Sequence, residues 1–255
     1  MFRLIACLVF IVGFSLPVRA AEYAPVSLQN NSNALFKIGM LRPSDPLAVD
    51  EYLRIHHCGL YEQYGGDDVA WSRLRDAQAR EITLALPGYN ENLEVEGTIS
   101  LGNYDVTTGR FAIGKKDVFN NTATVNLNAA IGGWYEPCSG RGARTFVPRA
   151  HPLRLSARLS QTFSMADIPV NRPVAEDMIK IINGRKAEND TQRLALVVMH
   201  LRLKGPDPLS GATEPSTMTV TADLDEVLVY DGPDRKLLLY KKSFKGNPDA
   251  KSGSR

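Results

Sequence analysis

Residues 220–244, VTADLDEVLVYDGPDRKLLLYKKSF, decide the class of fold. Val220 to Tyr230 and Lys236 to Phe244 are rich in Val, Leu and Tyr, and Asp231-Gly232-Pro233-Asp234 lies between them. Two such runs around a Gly/Pro/Asp turn read as an antiparallel hairpin. The same period of two recurs upstream. Leu93, Val95, Gly97, Ile99 and Leu101 alternate with polar residues, as do Ala123, Val125 and Leu127, and then Leu153, Leu155, Ala157 and Leu159. Tyr104 to Ile113 reads as a second hairpin, turning at Thr107-Thr108-Gly109-Arg110. The apolar run 194–199, followed by His200 and Arg202, reads as a buried strand, and Lys204 to Ser216 as a long polar loop.

Toward the N-terminus the period becomes helical. Asp45-Pro46 is a helix start, a capping carboxylate followed by proline at the first helical position. At 100° per residue, Ala48, Val49, Tyr52, Leu53, Ile55, His56, Gly59 and Leu60 share one arc. Asp50, Glu51, Arg54, His57, Cys58 and Tyr61 fall on the other side, so His56 should be more buried than His57. Gly65-Gly66 should end this helix, and Asp67 can cap another containing Trp71, Leu74 and Gln78. One further helix opens at Asn171-Arg172-Pro173, lines one face with Val174, Met178, Ile181 and Ile182, and should stop at Asn183-Gly184. The expected fold is α+β. A helical segment over 45–81 precedes a mainly antiparallel β-sheet system over 82–244, with one inserted helix. A single domain over 34–244, with a short strand at Ala34 to Leu41, would follow a flexible segment over 21–33. A polar, disordered tail would cover 245–255.

The first twenty residues carry a different signal. Arg3 precedes an apolar run, Leu4 to Leu16, and Val18-Arg19-Ala20 has small residues at the two positions a signal peptidase reads. Residues 1–20 therefore read as a secretory signal peptide cleaved between Ala20 and Ala21. The run is too short to span a bilayer, and no other stretch is expected to anchor the chain in a membrane. Leu4-Ile5-Ala6-Cys7 has the residue types of a lipoprotein box, but the apolar run follows Cys7 instead of preceding it. The expected location is the periplasm or the extracellular space. Loss of Arg3 and Arg19 takes Lys plus Arg from 30 to 28, equal to the 28 acids. A mature chain of zero net charge argues against a nucleic-acid partner. It keeps two cysteines, Cys58 and Cys138, which an oxidising compartment would join as a disulfide bond.

The order of features resembles an uncharacterised family of secreted bacterial envelope proteins of unknown function. The resemblance rests on the leader, on Tyr52, Cys58 and Tyr61, on Asp67-Asp68-Val69-Ala70-Trp71, and on Ile168-Pro169-Val170 running into the helix that contains Ala175. It implies a periplasmic location and supplies no site residues.

No catalytic, cofactor or metal motif emerges. His56 and His57 diverge by about 100° on a helix, too far to share one ion easily. Cys138-Ser139-Gly140-Arg141-Gly142 is not a nucleophile elbow. Asp223 and Asp225 fall on one face of a strand and read as solvated. His200 reads as a hydrogen-bonded core residue, and His151 as part of a loop. The one local anomaly is basic. Arg141, Arg144, Arg149, Arg154 and Arg158 occur without an intervening acid, just after Trp134 and Tyr135. Arginine beside aromatics suits an anionic polymer or another envelope protein. The competing reading makes Arg154 and Arg158 the solvated side of a half-buried strand. The expected function is a non-enzymatic envelope binding or accessory protein without a cofactor. Its rival is a cell-envelope hydrolase whose carboxylates meet only in the fold.

Overall fold

The computed structural model describes residues 23–128, 148–187, 193–208 and 217–244. The leader, Cys138, Trp134, Tyr135, Arg141, Arg144 and the expected tail lie outside these residues.

The chain opens with a short strand, β1 (Ala24–Pro25), and a helix, α1 (Leu28–Lys37). The segment expected to be flexible is therefore ordered from Tyr23, and the strand expected at Ala34 to Leu41 is a helix to Lys37. Ser27 caps α1, and its side chain accepts from the Asn30 N–H. The polar run Asn30 to Asn33 hid this helix, because its buried face contains Asn31 and Ser32 as well as Leu35 and Phe36. Next comes α2 (Pro46–His56), capped by Asp45 with Pro46 in its first turn. The helix expected to run on to Gly65 breaks at His57 (φ −130°, ψ 51°), and Cys58 begins a separate short helix, α3 (Cys58–Tyr64). The next helix, α4 (Asp68–Ala85), is capped by Asp67, which accepts from the N–H groups of Val69 and Ala70. It passes the expected boundary at 81 because Ile82 continues the buried stripe of Trp71 and Gln78.

The strands follow: β2 (Asn92–Asp105), β3 (Arg110–Ile113), β4 (Phe119–Asn126), β5 (Arg154–Met165) and β6 (Asp167–Pro169). Then come α5 (Arg172–Ala187), β7 (Leu194–Pro206), β8 (Thr217–Tyr230) and β9 (Leu238–Ser243). Asn183-Gly184 does not stop α5, and β7 extends into the stretch expected to be loop. Gly109, at φ +68°, makes the β2–β3 turn as expected.

Mixed α+β architecture is observed, but the sheet is not simply antiparallel. Its order is β4-β5-β8-β7-β2-β3-β6, with β1 beside β2 and β9 beside β8. β5 pairs with β8 in parallel, as does β1 with β2. The sheet also curls into a half-barrel. β5 and β6 stand near opposite ends of the order, yet only Ala166 separates them in the chain. The Ile113 N–H donates to the Ala166 carbonyl at 3.1 Å, so the β5–β6 corner meets β3. One face of the sheet packs against the helices, with Phe36, Tyr52 and Ile82 in the same core as Leu93, Leu155, Leu201 and Val220.

Candidate functional site

The arginine-bearing segment is held by a buried carboxylate. Glu51 lies on α2 and is 1% exposed. It accepts hydrogen bonds from three consecutive backbone N–H groups: Arg149 at 2.6 Å, Ala150 at 2.9 Å and His151 at 2.8 Å. The Nδ1 of His151, a buried ring, stands 3.5 Å from the same carboxylate. Burial pushes the Glu51 carboxyl up, but His151 and the three backbone donors outweigh it and hold the group below the ordinary glutamate range. Glu51 was expected on the open side of its helix. The arrival of residues 148–151, about a hundred positions later in the chain, buries it, and no local pattern signals that contact.

From this anchor the backbone delivers Arg149, Arg154 and Arg158. Arg149 and Arg154 are exposed, and neither side chain makes a hydrogen bond or ion pair with the described residues. Arg158 is half-buried on β5. Its Nε donates to the buried Asp207 at 2.6 Å in an ion pair, and its terminal nitrogens make no hydrogen bond with the described residues. The structure thus brings Arg154 and Arg158 onto one polar strand face and pins Arg149 at the neighbouring loop.

The histidines form two other clusters. His56 is more buried than His57, as expected. Its Nε2 lies 3.0 Å from Ser32 Oγ, and Tyr52 packs against its ring. Burial, reinforced by His151 and His57 nearby, pushes the His56 pKa down to about 3. So weak a base takes a serine proton poorly, and Ser32 is itself buried. The pair joins α1 to α2. His151, expected in a loop, is in one but is buried.

His200 stands between two glutamates, with Nε2 3.1 Å from Glu94 and Nδ1 3.3 Å from Glu226. Tyr23 stacks on its ring at 4.0 Å and donates its hydroxyl to Asp225 at 2.9 Å. Each glutamate also meets a cation: Arg235 reaches Glu94 at 2.5 Å, and Lys241 reaches Glu226 at 2.8 Å. Asp225 is buried and paired with Arg202 at 2.9 Å, not solvated beside Asp223. The reason is a bulge: Leu224 pairs with Leu201 and Glu226 with His200, so Asp225 is the extra residue and breaks the alternation. This cluster balances its own charge and fastens the N-terminal strand to β7 and β8.

Among the described residues no group of three or more His, Cys, Asp or Glu side chains is arranged to hold a metal ion. No described helix is long and apolar enough to cross a membrane. Residues 45–180, just over half the chain, match a family described as a domain of unknown function, DUF4852. The chain belongs to this family. The DUF4852 match encloses Glu51, the 149–151 backbone it holds, and Arg154 and Arg158, whereas Ser32, His200, Asp207 and Asp225 lie beyond it. No curated protein and no solved structure matches the chain.

Proposed function

We propose that the protein is an exported, non-enzymatic envelope binding protein that holds an anionic partner with Arg154 and Arg158 on β5 and with Arg149 on the loop that leads into that strand. One observation carries the reading. The buried Glu51 carboxylate clamps three consecutive backbone N–H groups and so fixes the start of a segment whose arginines keep donors that no described residue takes up. Planar guanidinium groups held in place are suited to carboxylate and phosphate. Trp134, Tyr135, Arg141 and Arg144, outside the described residues, belong to the same proposal on the sequence alone. The leader over residues 1–20 supports export, and an oxidising compartment would favour a bridge between Cys58, at the start of α3, and Cys138.

The test is retention of the mature chain on immobilised envelope extract across a salt series. Binding should weaken steeply as salt rises. The triple variant Arg149→Gln, Arg154→Gln, Arg158→Gln should lose the salt-sensitive part. Equal retention of wild type and variant at every salt concentration would overturn the proposal.

A further inference from the structure

Polar side chains surround Arg154 and Arg158 on three neighbouring strands. On β4, β5 and β8, Thr124, Arg158 and Thr221 form one row across the sheet, and Asn126, Ser156 and Thr219 form the next. Arg154 and Thr217 form a third. Residues in register on neighbouring strands share a face. The alternate positions Val125, Ala157 and Val220 are buried in the core, so these eight side chains occupy the opposite, outward face. None of the eight is apolar.

Six of them carry a hydroxyl or an amide. The Thr221 hydroxyl donates to the Gly205 carbonyl at 3.3 Å, and the Asn126 amide oxygen accepts from the Asn128 N–H. The hydroxyls of Thr124, Ser156, Thr217 and Thr219 make no hydrogen bond with the described residues. Such groups both donate and accept, whereas a dense phosphate polymer calls for donors alone. The two cations are four residues apart on one strand, about 13 Å, with Ser156 between them. Arg158 is ion-paired through Nε with the buried Asp207, so it offers this face the donors of its terminal nitrogens, while the exposed Arg154 supplies the charge without a described partner. Two guanidinium groups separated by hydroxyls that make no hydrogen bond with the described residues complement a polymer whose negative groups are themselves separated by hydroxyl-bearing units.

Building on the binding proposal above, we infer that this face takes an acidic polysaccharide laid across β4, β5 and β8. The experiment uses the full mature chain and three probes in affinity electrophoresis: soluble alginate, inorganic polyphosphate and neutral dextran. One variant set is Arg154→Gln with Arg158→Gln. The other is Ser156→Ala with Thr217→Val and Thr219→Val, which keeps volume and β-branching at the threonines. Alginate should retard the wild type and dextran should not. Each variant set should weaken alginate binding roughly tenfold or more, since a tenfold change needs only about 1.4 kcal/mol and a typical hydrogen bond contributes about 1 kcal/mol. Melting temperatures are taken alongside. If the triple hydroxyl variant melts early, Thr217→Val alone, at an exposed position, replaces it with an expected weakening of about fivefold. If the arginine set loses binding while the hydroxyl set does not, or if polyphosphate binds as tightly as alginate, the polysaccharide inference fails and the anionic reading stands. If no anion binds, or the arginine set changes nothing, both fail.

Discussion

Replacement of Glu51 by alanine should be among the most damaging single changes in the chain. The carboxylate is 1% exposed and accepts three backbone N–H bonds at 2.6–2.9 Å. Hydrogen bonds to a charged group contribute about 1.5–3 kcal/mol each, so the gross loss is roughly 4–9 kcal/mol. Against this stands the relief of no longer desolvating a carboxylate, several kcal/mol in its own right. Deleting one side of a buried polar arrangement leaves a net cost of about 3–5 kcal/mol. For a chain of this size that lowers the melting temperature by roughly 6–20 °C. Glu51→Gln keeps one carbonyl oxygen, which can accept two of the three bonds, and should cost about half as much. Thermal unfolding of residues 21–255 gives the first readout. Amide exchange gives the second, because Arg149, Ala150 and His151 should exchange faster than the surrounding strands in either variant. The folded pKa of Glu51 is lowered, so its stabilisation is present above the unfolded carboxylate value of about 4.3 and is lost as pH falls through the folded value. A drop of less than about 3 °C for Glu51→Ala, with unchanged exchange at 149–151, would refute the clamp.

Other predictions follow the same physics. His56 is held neutral with a pKa of about 3, so stability should be full above the unfolded value of about 6.5 and should fall as pH drops from there toward 3. His56→Gln should flatten that slope in urea midpoints measured across the range. Free-thiol titration of the oxidised, denatured mature chain should find no reactive thiol if Cys58 and Cys138 are joined, and two would exclude the bridge. N-terminal sequencing of the exported protein should begin at Ala21, and an intact Met1 or a lipid on Cys7 would remove the leader from the account. Tyr23→Ala should loosen the N-terminal strand, seen as faster amide exchange at Val26, whose N–H donates to the Glu94 carbonyl at 3.0 Å.

What the sequence made legible was local. Asp45 and Asp67 cap the helices they were expected to cap, because an N-cap is a contact between residues two or three apart. Gly109 turns the β2–β3 hairpin for the same kind of reason, and burial follows the helical wheel at His56 and His57. The failures involve distant partners. Ser32 and Asn31 made α1 look like loose chain, yet Ser32 is buried because His56, on the next helix, receives it. Glu51 looked solvated until a segment a hundred residues away closed over it. The curl of the sheet cannot be read from alternation, which reports faces and not neighbours.

Asp225 unites the two kinds of outcome. Strict alternation from Val220 places Val220, Ala222 and Leu224 inward, and all three are buried in the core. Continued without a break, the pattern would turn Glu226 inward and Val227 and Val229 outward. One extra residue at 225 resets the parity, so Val227 and Val229 return to the core while Glu226 meets His200. The same residue marks where β8 changes partners, with β5 along 217–222 before it and β9 along 226–230 after it. A bulge strengthens the local twist, and here it lies where β8 passes from one partner to the other. The polar rows of the proposed binding face lie on the β5 side of that point, and the self-neutralised His200 cluster lies at the bulge itself. A single buried aspartate thus separates a surface with donors to offer from one whose charges are already matched.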